Sequence, residues 1–296
     1  MINFDQDITE YIQSEFAHFG ISYEVNDWSD SLIDLFNLHE KVIYPFPRKV
    51  EYSNELKKYL SINQDYNDIV NYIKFLFENQ QDVNPFQSKK VFDYAYTDGL
   101  LFDWKIYHFH LDKNRTKHTY FKDRTNELLF VYVTKERALF LGIFTHSPNV
   151  NFSDKGLLEI IDNNWKGVLY YFDGIEGLTH ELTNEERLEM RKYNVNEGII
   201  QINGKYVGSP NFGQVGNGRS VNAAMKGMDF RRWVKRNTKE MNLDLYATNS
   251  FFQSKYSIQN EIKYKLIFTE FGPQIIDEKS NTILLKWREL FLRNEK

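Results

Sequence analysis

The sequence predicts an α+β protein with a helical N-terminal region, a central antiparallel sheet, and a C-terminal hairpin and basic helix. Three observations support this class. Apolar residues at helical spacing come first, runs of aromatic and β-branched residues follow, and an Asn-Gly pair later separates two strand-like runs. We divide the chain into a mostly helical, acidic region over 1–92, a central region of sheet plus helix over 93–172, and an α+β region over 178–296. One interlocked body is the alternative to separate domains.

Helical spacing and capping residues define the elements of the first region. Apolar residues from Ile8 onward recur every three or four positions, and Gly20 is expected to end that helix. Further amphipathic helices are predicted over 28–39 and 66–78. Between them, Ser53 has the residue type of an N-cap and predicts a short helix.

The central region changes to the residue types of strands. The segments 104–111, 128–134 and 138–146 are rich in aromatic and β-branched residues. Three residues separate the last two segments, which predicts a hairpin. Both are apolar at nearly every position, so we expect central strands that are covered on both faces. Ser153 is the expected N-cap of the helix that follows.

Turn and cap signals are clearest in the third region. Thr183 followed by Glu186 has the spacing of a capping box and predicts the start of a helix. Asn203 and Gly204 predict a type I′ hairpin, because both turn positions need a positive φ. A glycine-rich loop then leads into a basic helix from about Ser220. The tail adds one more strand candidate and a final amphipathic segment.

The composition excludes several kinds of chemistry. The chain has 296 residues, a formal net charge of −4 and no cysteine, so a disulfide framework, a thiol nucleophile and a thiolate metal site are excluded. No uncharged apolar stretch reaches the length of about 18 residues that a membrane span needs. The N-terminus is acidic where a signal peptide would be basic and then apolar. We therefore expect a cytoplasmic protein with no membrane partner.

The small net charge conceals a strong segregation of charge along the chain. Residues 1–40 contain nine acids and neither Lys nor Arg, whereas residues 219–239 contain seven bases and one acid. Such segregation favours a basic surface for RNA or another polyanion, or an acidic element that docks on the basic one. The acidic element would be a partner protein or the chain's own N-terminal segment. Two solvated helix faces of opposite sign are the simpler alternative.

The predicted basic helix and the loop before it are the expected phosphate-binding elements. The bases recur at three- and four-residue spacing, and Phe230 and Trp233 lie close in sequence, which suits the backbone of RNA or DNA. Glycines let backbone N–H groups approach an anion, but the loop has neither the P-loop nor the dinucleotide pattern, so no nucleotide cofactor is expected. A flexible loop with a solvated helix is the alternative. The expected phosphate or nucleic-acid contacts are Gly216, Gly218, Arg219, Arg232, Lys235, Arg236 and Lys239.

Histidines are concentrated in the central region. Four of the seven fall between 108 and 146, and His108 and His110 share one face of their predicted strand. Together with His146 they would offer three nitrogens to a zinc ion, with one position open to water. The alternative chemistry is metal-free RNA cleavage, in which a histidine takes a proton from a ribose 2′-hydroxyl. The simplest alternative is that His108 and His110 are hydrogen-bonded, half-buried strand residues.

Basic residues adjoin these histidines in the sequence. RNA cleavage needs positive charge that stabilises the developing phosphorane, and candidate bases lie on the segment after the first predicted strand. They are Arg115, Lys117, Lys122 and Arg124. The expected catalytic residues are His108, His110, Arg115, Arg124 and His146.

Part of the chain is similar to a group of uncharacterised bacterial proteins that are associated with mobile elements and phage defence. The similar runs are DGLLFDWKIYHFHLDKN, RTNELLFVYVT, ALFLGIFTHSP and LLEIIDNNW. Residues 104–165 also resemble the short sheet of RelE/HigB-type toxins, in which basic strands and a hairpin grip and cut mRNA on the ribosome. The basic residues that this resemblance implies are Arg115, Lys117 and Arg124. The acid–base candidates that it implies are His108, His110 and Tyr107.

Our leading hypothesis is a cytoplasmic bacterial protein that acts on RNA as a toxin-like or defence-associated ribonuclease, without a metal or cofactor. The second hypothesis is a non-catalytic binding or sensor module whose basic helix docks an acidic partner. The third is a metal-dependent hydrolase that uses His108, His110 and His146.

Overall fold

The computed structural model divides the chain into two compact units and has the predicted α+β class. The terminal unit combines Met1–His39 with the chain from Ala223 onward, and the central unit is Glu40–Asn222. The sequence-based boundaries near 92 and 178 both lie inside the central unit, because strands from the two sides of each boundary pair with one another. The residues that the structure describes are 1–113, 120–145, 155–196 and 198–287.

A mixed four-stranded sheet forms the middle of the central unit. Its strands are β1 (Lys49–Tyr52), β2 (Ile106–His110), β3 (Glu127–Val133) and β4 (Arg137–Thr145). They lie in the order β1-β4-β3-β2. β2, β3 and β4 pair antiparallel, and the predicted hairpin of β3 and β4 is confirmed. β1, which is too short to give a periodic pattern, pairs parallel with β4 and makes the sheet mixed.

Helices cover both faces of this sheet, as the apolar character of β3 and β4 predicts. α3 (Asn54–Ile62) and α4 (Asn67–Glu78) pack on one face, and α6 (Gly156–Asn164) packs on the other. Successive residues of β3 enter different hydrophobic cores. Leu129 belongs to the core that includes α3 and α4, and Phe130 belongs to the core that includes α6. Side chains alternate in this way because successive residues of a strand point to opposite faces.

Capping residues begin the helices and tie them to the sheet. The Ser53 hydroxyl accepts a hydrogen bond from the Leu56 backbone N–H at 2.9 Å, so the predicted cap of α3 is confirmed. The same hydroxyl donates to the Leu141 carbonyl of β4 at 2.6 Å, which fixes the helix to the strand. α6 begins after Lys155, and its predicted cap, Ser153, lies outside the described residues.

A smaller three-stranded sheet completes the central unit. Its strands, in the order β5-β7-β6, are β5 (Tyr170–Phe172), β6 (Ile199–Ile202) and β7 (Lys205–Gly208). Asn203 and Gly204 have φ angles of 50° and 76° and join β6 to β7, so the predicted hairpin is confirmed. α7 (Asn184–Lys192) precedes this hairpin, and the predicted capping box of Thr183 and Glu186 is present at its start.

The terminal unit combines helices from both ends of the chain with a three-stranded antiparallel sheet. The helices are α1 (Asp5–His18), α2 (Trp28–Lys41), α8 (Val221–Leu243) and α9 (Leu245–Tyr256). The strands, in the order β10-β9-β8, are β8 (Tyr264–Thr269), β9 (Gly272–Asp277) and β10 (Thr282–Lys286). α1 packs along the edge strand β8. The Asp7 carboxylate accepts the Leu266 backbone N–H at 2.9 Å, and the Tyr11 and Phe268 rings stack with centroids 3.8 Å apart.

Of the two predictions for the C-terminal tail, the structure confirms the strand and describes only part of the amphipathic segment. β8 lies within the strand candidate at 261–271. The segment 288–296, which ends the amphipathic tail, lies outside the described residues. In the described part of the chain, no helix combines the length and the apolar composition that crossing a membrane requires.

Candidate functional site

β2 brings His108 and His110 onto one face of the central sheet, as predicted. The two histidines pair in register with Phe130 and Leu128 of β3, on the face that α6 covers. Their surroundings differ, however, because His110 lies at the end of the strand where the chain turns back. The two imidazoles therefore have separate roles.

His110 is fixed by the backbone that follows it. The residue is 2% exposed, and its Nδ1 accepts a hydrogen bond from the Thr125 backbone N–H at 3.1 Å. The Thr125 hydroxyl accepts the Leu111 N–H at 2.9 Å and donates to the Glu127 carbonyl at 2.6 Å. His110 thus helps to close the connection from β2 to β3. This is the structural role that the sequence left open as an alternative to catalysis.

His108 lines a small, open cavity of about 20 Å³ inside the central unit. The walls of the cavity come from β2, from α5 (Gly99–Trp104), from the end of α2 and from the turns before α5. The lining residues are Lys41, Gln87, Ser88, Val91, Tyr96, Asp98, Leu101 and His108. An imidazole, a carboxylate, two hydroxyls and an ammonium group therefore share one small space, which is the usual composition of a site that orients a polar ligand.

A carboxylate lies beside the imidazole of His108. The Asp98 Oδ2 atom is 3.9 Å from His108 Nδ1, and both side chains are largely buried. Asp98 is held in place because its Oδ1 atom accepts the Leu101 N–H at 3.1 Å and so caps α5. A carboxylate at this distance stabilises the protonated form of an imidazole. The pair is therefore suited to take up a proton from a substrate.

Lys41 contributes a fixed positive charge to the same cavity. The residue is 2% exposed, and its Nζ donates to the backbone carbonyls of Asp93 and Tyr96, the latter at 3.2 Å. The Gln87 side chain donates to the Lys41 carbonyl at 3.3 Å and holds the end of α2. Because these bonds fix its position, the ammonium group needs little reorganisation to act on a developing negative charge.

Tyr96 contributes a hydroxyl that stays protonated at neutral pH. Burial, and then the nearby Asp98 carboxylate, raise the pKa of Tyr96 to about 12. Arg124 is exposed and close enough to Tyr96 that its positive charge acts on this pKa in the opposite direction. His108 lines the cavity and Arg124 lies near a tyrosine that lines it. The structure thus brings two of the sequence-predicted catalytic residues into one neighbourhood.

Two of the other predicted catalytic residues, Arg115 and His146, lie outside the described residues. Lys117 and His118, which are close to Arg115 in the sequence, lie outside them as well. The zinc alternative needs His146, and within the ranges that the structure describes no group of three or more His, Asp or Glu side chains is arranged to hold a metal ion. Tyr107 faces the opposite core, where its hydroxyl donates to the Glu40 carbonyl at 3.0 Å.

The glycine loop uses backbone N–H groups for its own structure. The Gly218 N–H donates to the Val215 carbonyl at 2.7 Å, and the Val215 N–H donates to the Arg219 carbonyl at 2.8 Å. Gly216 is exposed, and its carbonyl accepts a hydrogen bond from the Asn194 side chain at 3.1 Å. An anion cradled by this loop would have to displace some of these bonds. Phosphate contact by Gly216, Gly218 and Arg219 stays a prediction.

α8 carries the predicted stripe of bases and buries the predicted aromatic residues. Phe230 and Trp233 are 0% and 9% exposed, and their rings stack with centroids 5.8 Å apart. The Trp28 ring meets Phe230 edge-on at 6.2 Å, so both aromatic residues of α8 belong to the core of the terminal unit. They are not accessible to nucleic-acid bases. Four exposed bases at three- and four-residue spacing, called the basic stripe, are Arg232, Lys235, Arg236 and Lys239.

The acidic N-terminal segment packs with α8 but leaves the basic stripe exposed. α2 meets α8 at Gly227, where an added Cβ would lie 2.4 Å from Ile33 Cγ1. Charge acts between the two as well: Arg231, after the hydrogen bonds from Ser29, lowers the pKa of Asp27, and Lys226, after burial, lowers the pKa of His39. Docking of the acidic segment on the basic helix is therefore present within the chain. The acidic segment makes its apolar contact with α8 through Ile33 and Gly227, on a side of the helix other than the one that carries the basic stripe.

No family model matches this sequence, and no curated protein or solved structure matches the chain. The cavity and α8 therefore have to be interpreted from their own residues. Sequence reasoning missed Asp98, Tyr96 and Lys41 as members of the site. Asp98 had a local signal, because an acidic residue directly before the apolar run GLLFDW has the type and position of an N-cap. Lys41 had none.

Proposed function

We propose that this protein is a metal-independent ribonuclease that works at the cavity beside β2. The observation that supports this best is the pairing of His108 with Asp98, 3.9 Å apart, in a cavity that Lys41 and Tyr96 also line. These groups match what metal-free RNA cleavage needs. It requires a base, a negative charge that stabilises the base once it is protonated, and donors for the oxygens of the phosphorane.

Each group has a distinct role in the proposed reaction. His108 takes the proton of a ribose 2′-hydroxyl, and the 2′-oxygen attacks the adjacent phosphorus. Asp98 stabilises the imidazolium that results. The Tyr96 hydroxyl, the Lys41 ammonium and the Arg124 guanidinium stabilise the charge on the phosphate oxygens. The bond from phosphorus to the 5′-oxygen breaks, that oxygen takes a proton from solvent, and a 2′,3′-cyclic phosphate remains on the other fragment.

The choice of RNA as substrate draws on the resemblance to RelE/HigB-type toxins. The resembling stretch, 104–165, contains β2, β3, β4 and α6, together with the last residue of α5. His108 and Arg124, which lie in this stretch, are resemblance-implied residues that the structure describes near the cavity. The toxin-like role is drawn from the same resemblance, and the defence-associated role is drawn from the similarity to the uncharacterised bacterial group.

The test incubates the full-length protein with an RNA and with a DNA of the same sequence, with and without EDTA. We expect the RNA to be cut and the DNA to stay intact, since DNA has no 2′-hydroxyl. EDTA should have no effect, and the RNA fragments should carry 2′,3′-cyclic phosphate ends. His108→Ala should lower the rate by at least about a hundredfold.

His180→Ala is the matched control for the loss of an imidazole. His180 is exposed and contacts Glu186, with 3.1 Å between Nε2 and Oε1, so its removal should leave the cleavage rate unchanged. An RNA that is neither bound nor cut at low salt contradicts the proposal. Cleavage that EDTA abolishes contradicts metal independence and favours the metal-dependent hydrolase.

A further inference from the structure

The exposed side of α8 carries apolar residues among its bases. Met225 and Met228 are 48% and 44% exposed, and Leu243 is 76% exposed. These residues and the basic stripe follow one another at spacings of three and four positions, so they lie on one side of the helix. We call this side the α8 surface; its members are Met225, Met228, Arg232, Lys235, Arg236, Lys239 and Leu243.

The residue types of the α8 surface favour a protein ligand over nucleic acid. Surfaces that bind single-stranded nucleic acid present aromatic rings on which bases stack. The aromatic residues of α8, Phe230 and Trp233, face the core instead. Exposed methionine is typical of surfaces that bind amphipathic helices, because its flexible thioether adapts to apolar side chains.

The chain's own acidic segment does not occupy this surface. α2 contacts α8 through Ile33 and Gly227, and the basic stripe remains exposed. Arg232 pairs with Asp229 one turn away at 2.9 Å, but a solvent-exposed pair of this kind contributes little and is easily exchanged for a stronger partner.

We infer that the α8 surface binds an acidic amphipathic helix of a partner protein. The apolar side of that helix would contact Met225, Met228 and Leu243, and its Asp and Glu residues would pair with the basic stripe. The surface extends over about 27 Å at 1.5 Å per residue, which suits a partner helix of about five turns. The inference is independent of the proposed RNA cleavage, because it uses no residue of the cavity.

The experiment compares three ligands by fluorescence anisotropy on the full-length protein. The first is a synthetic peptide of about 18 residues with leucine at every third or fourth position and glutamate on both flanks. The second is its scrambled version, which has the same charge but no apolar side. The third is a single-stranded oligouridine RNA. We expect the amphipathic peptide to bind at least about tenfold more tightly than either of the other two.

Two double variants separate the charge contribution from the apolar one. Arg232→Glu with Arg236→Glu should weaken binding of the amphipathic peptide by at least about tenfold, because attraction becomes repulsion. Met225→Ser with Met228→Ser should weaken it by about fivefold while leaving RNA binding unchanged.

Two controls locate the effect on α8. Lys57→Glu with Lys58→Glu reverses two exposed lysines of α3 and should leave peptide affinity unchanged. Since the chain has no cysteine, Leu243→Cys carries a single environment-sensitive dye whose emission should shift to the blue with peptide, whereas a dye at Ile62→Cys should not respond. Tighter binding of the RNA, equal binding of the scrambled peptide, or no effect of the methionine substitutions overturns the inference.

Discussion

Each unit of the protein contains a histidine beside a carboxylate, and the two pairs differ in what surrounds them. In the terminal unit His39 Nε2 is 3.7 Å from a Glu15 carboxylate oxygen, and in the central unit His108 Nδ1 is 3.9 Å from one of Asp98. The distances are nearly equal. The comparison therefore isolates the effect of the environment on one chemical pair.

The terminal pair buries its imidazole but leaves the Glu15 side chain 24% exposed, whereas the central pair lines a cavity. The His39 side chain is 8% exposed, and burial, followed by the positive charge of Lys226, lowers the pKa of His39 to about 3. Burial also raises the pKa of Glu15. His108 instead shares its space with a tyrosine, a serine and a lysine. A carboxylate at this distance thus does not by itself make a site; the site also needs room for a substrate and further polar groups.

The largest contrast between the two pairs is expected in RNA cleavage. His108→Asn should lower the rate at least about a hundredfold, a loss of about 2.7 kcal/mol of transition-state stabilisation, because the acid–base group is removed. His39→Asn should leave the rate per folded molecule unchanged, because a sealed imidazole does not meet a substrate. Initial rates, corrected for the folded fraction from circular dichroism, check this. Equal losses of cleavage rate in the two variants would contradict the proposed functional difference between His108 and His39.

The next contrast concerns the lysine that lines the cavity. Lys41→Met should lower the free energy of unfolding by about 2 kcal/mol, because the carbonyls of Asp93 and Tyr96 lose a charged donor. Lys239→Met, on the exposed side of α8, should change it by less than about 0.5 kcal/mol. Urea midpoints with unchanged slopes measure both values. A Lys41 variant as stable as the wild type would show that the ammonium is not held as described.

The buried imidazole of His39 should make stability depend on pH. Histidine has a pKa of about 6.5 when unfolded and His39 about 3 when folded, so the unfolded chain binds the extra proton in this window and stability falls as the pH falls through it. Relative to pH 8, the His39 contribution at about pH 5.5 is a loss of about 1.4 kcal/mol. The free energy of unfolding of His39→Gln, measured by urea titration at the two pH values, should not include this decrease. The same pH dependence in both proteins would mean that His39 is not sealed.

The smallest expected effect separates the two roles of Asp98. Asp98→Asn retains an N-cap residue and should change the free energy of unfolding by less than about 0.5 kcal/mol, whereas Asp98→Ala should lower it by about 1 kcal/mol. The Asn variant also removes the charge beside His108, so the acid limb of the cleavage rate profile should move to lower pH. Thermal melts and a pH–rate profile test the two parts. An unmoved acid limb in the Asn variant would separate Asp98 from the proposed catalysis.

Signals that act over a few residues predicted the fold well. Ser53 caps α3, Thr183 and Glu186 form the capping box of α7, and Asn203 with Gly204 forms the turn of the second hairpin. Each depends on neighbours within three positions, which a single sequence displays directly. β1 had no such signal, because a four-residue strand owes its existence to pairing with β4, far along the chain.

The site was predictable to a smaller extent for the same reason. His108 and Arg124 were predicted because they lie close together in the sequence beside a strand. Lys41 reaches the cavity from the end of α2, and no local pattern connects it with β2. His110 carried the same signal as His108, but its Nδ1 accepts a hydrogen bond from the Thr125 backbone N–H, a contact that its residue type does not reveal.

The division of the terminal unit between the two ends of the chain affects the order in which the protein folds as it is made. Residues 1–39 leave the ribosome first, but the rest of their unit lies beyond residue 222. The hydrogen bond between Asp7 and the Leu266 backbone, and the stacking of Tyr11 on Phe268, can form only after Leu266 and Phe268 have been synthesised. The central unit is continuous and completes its contacts earlier. The apolar side of α1 therefore lacks its packing partner in the nascent chain until the second part of the terminal unit has been made.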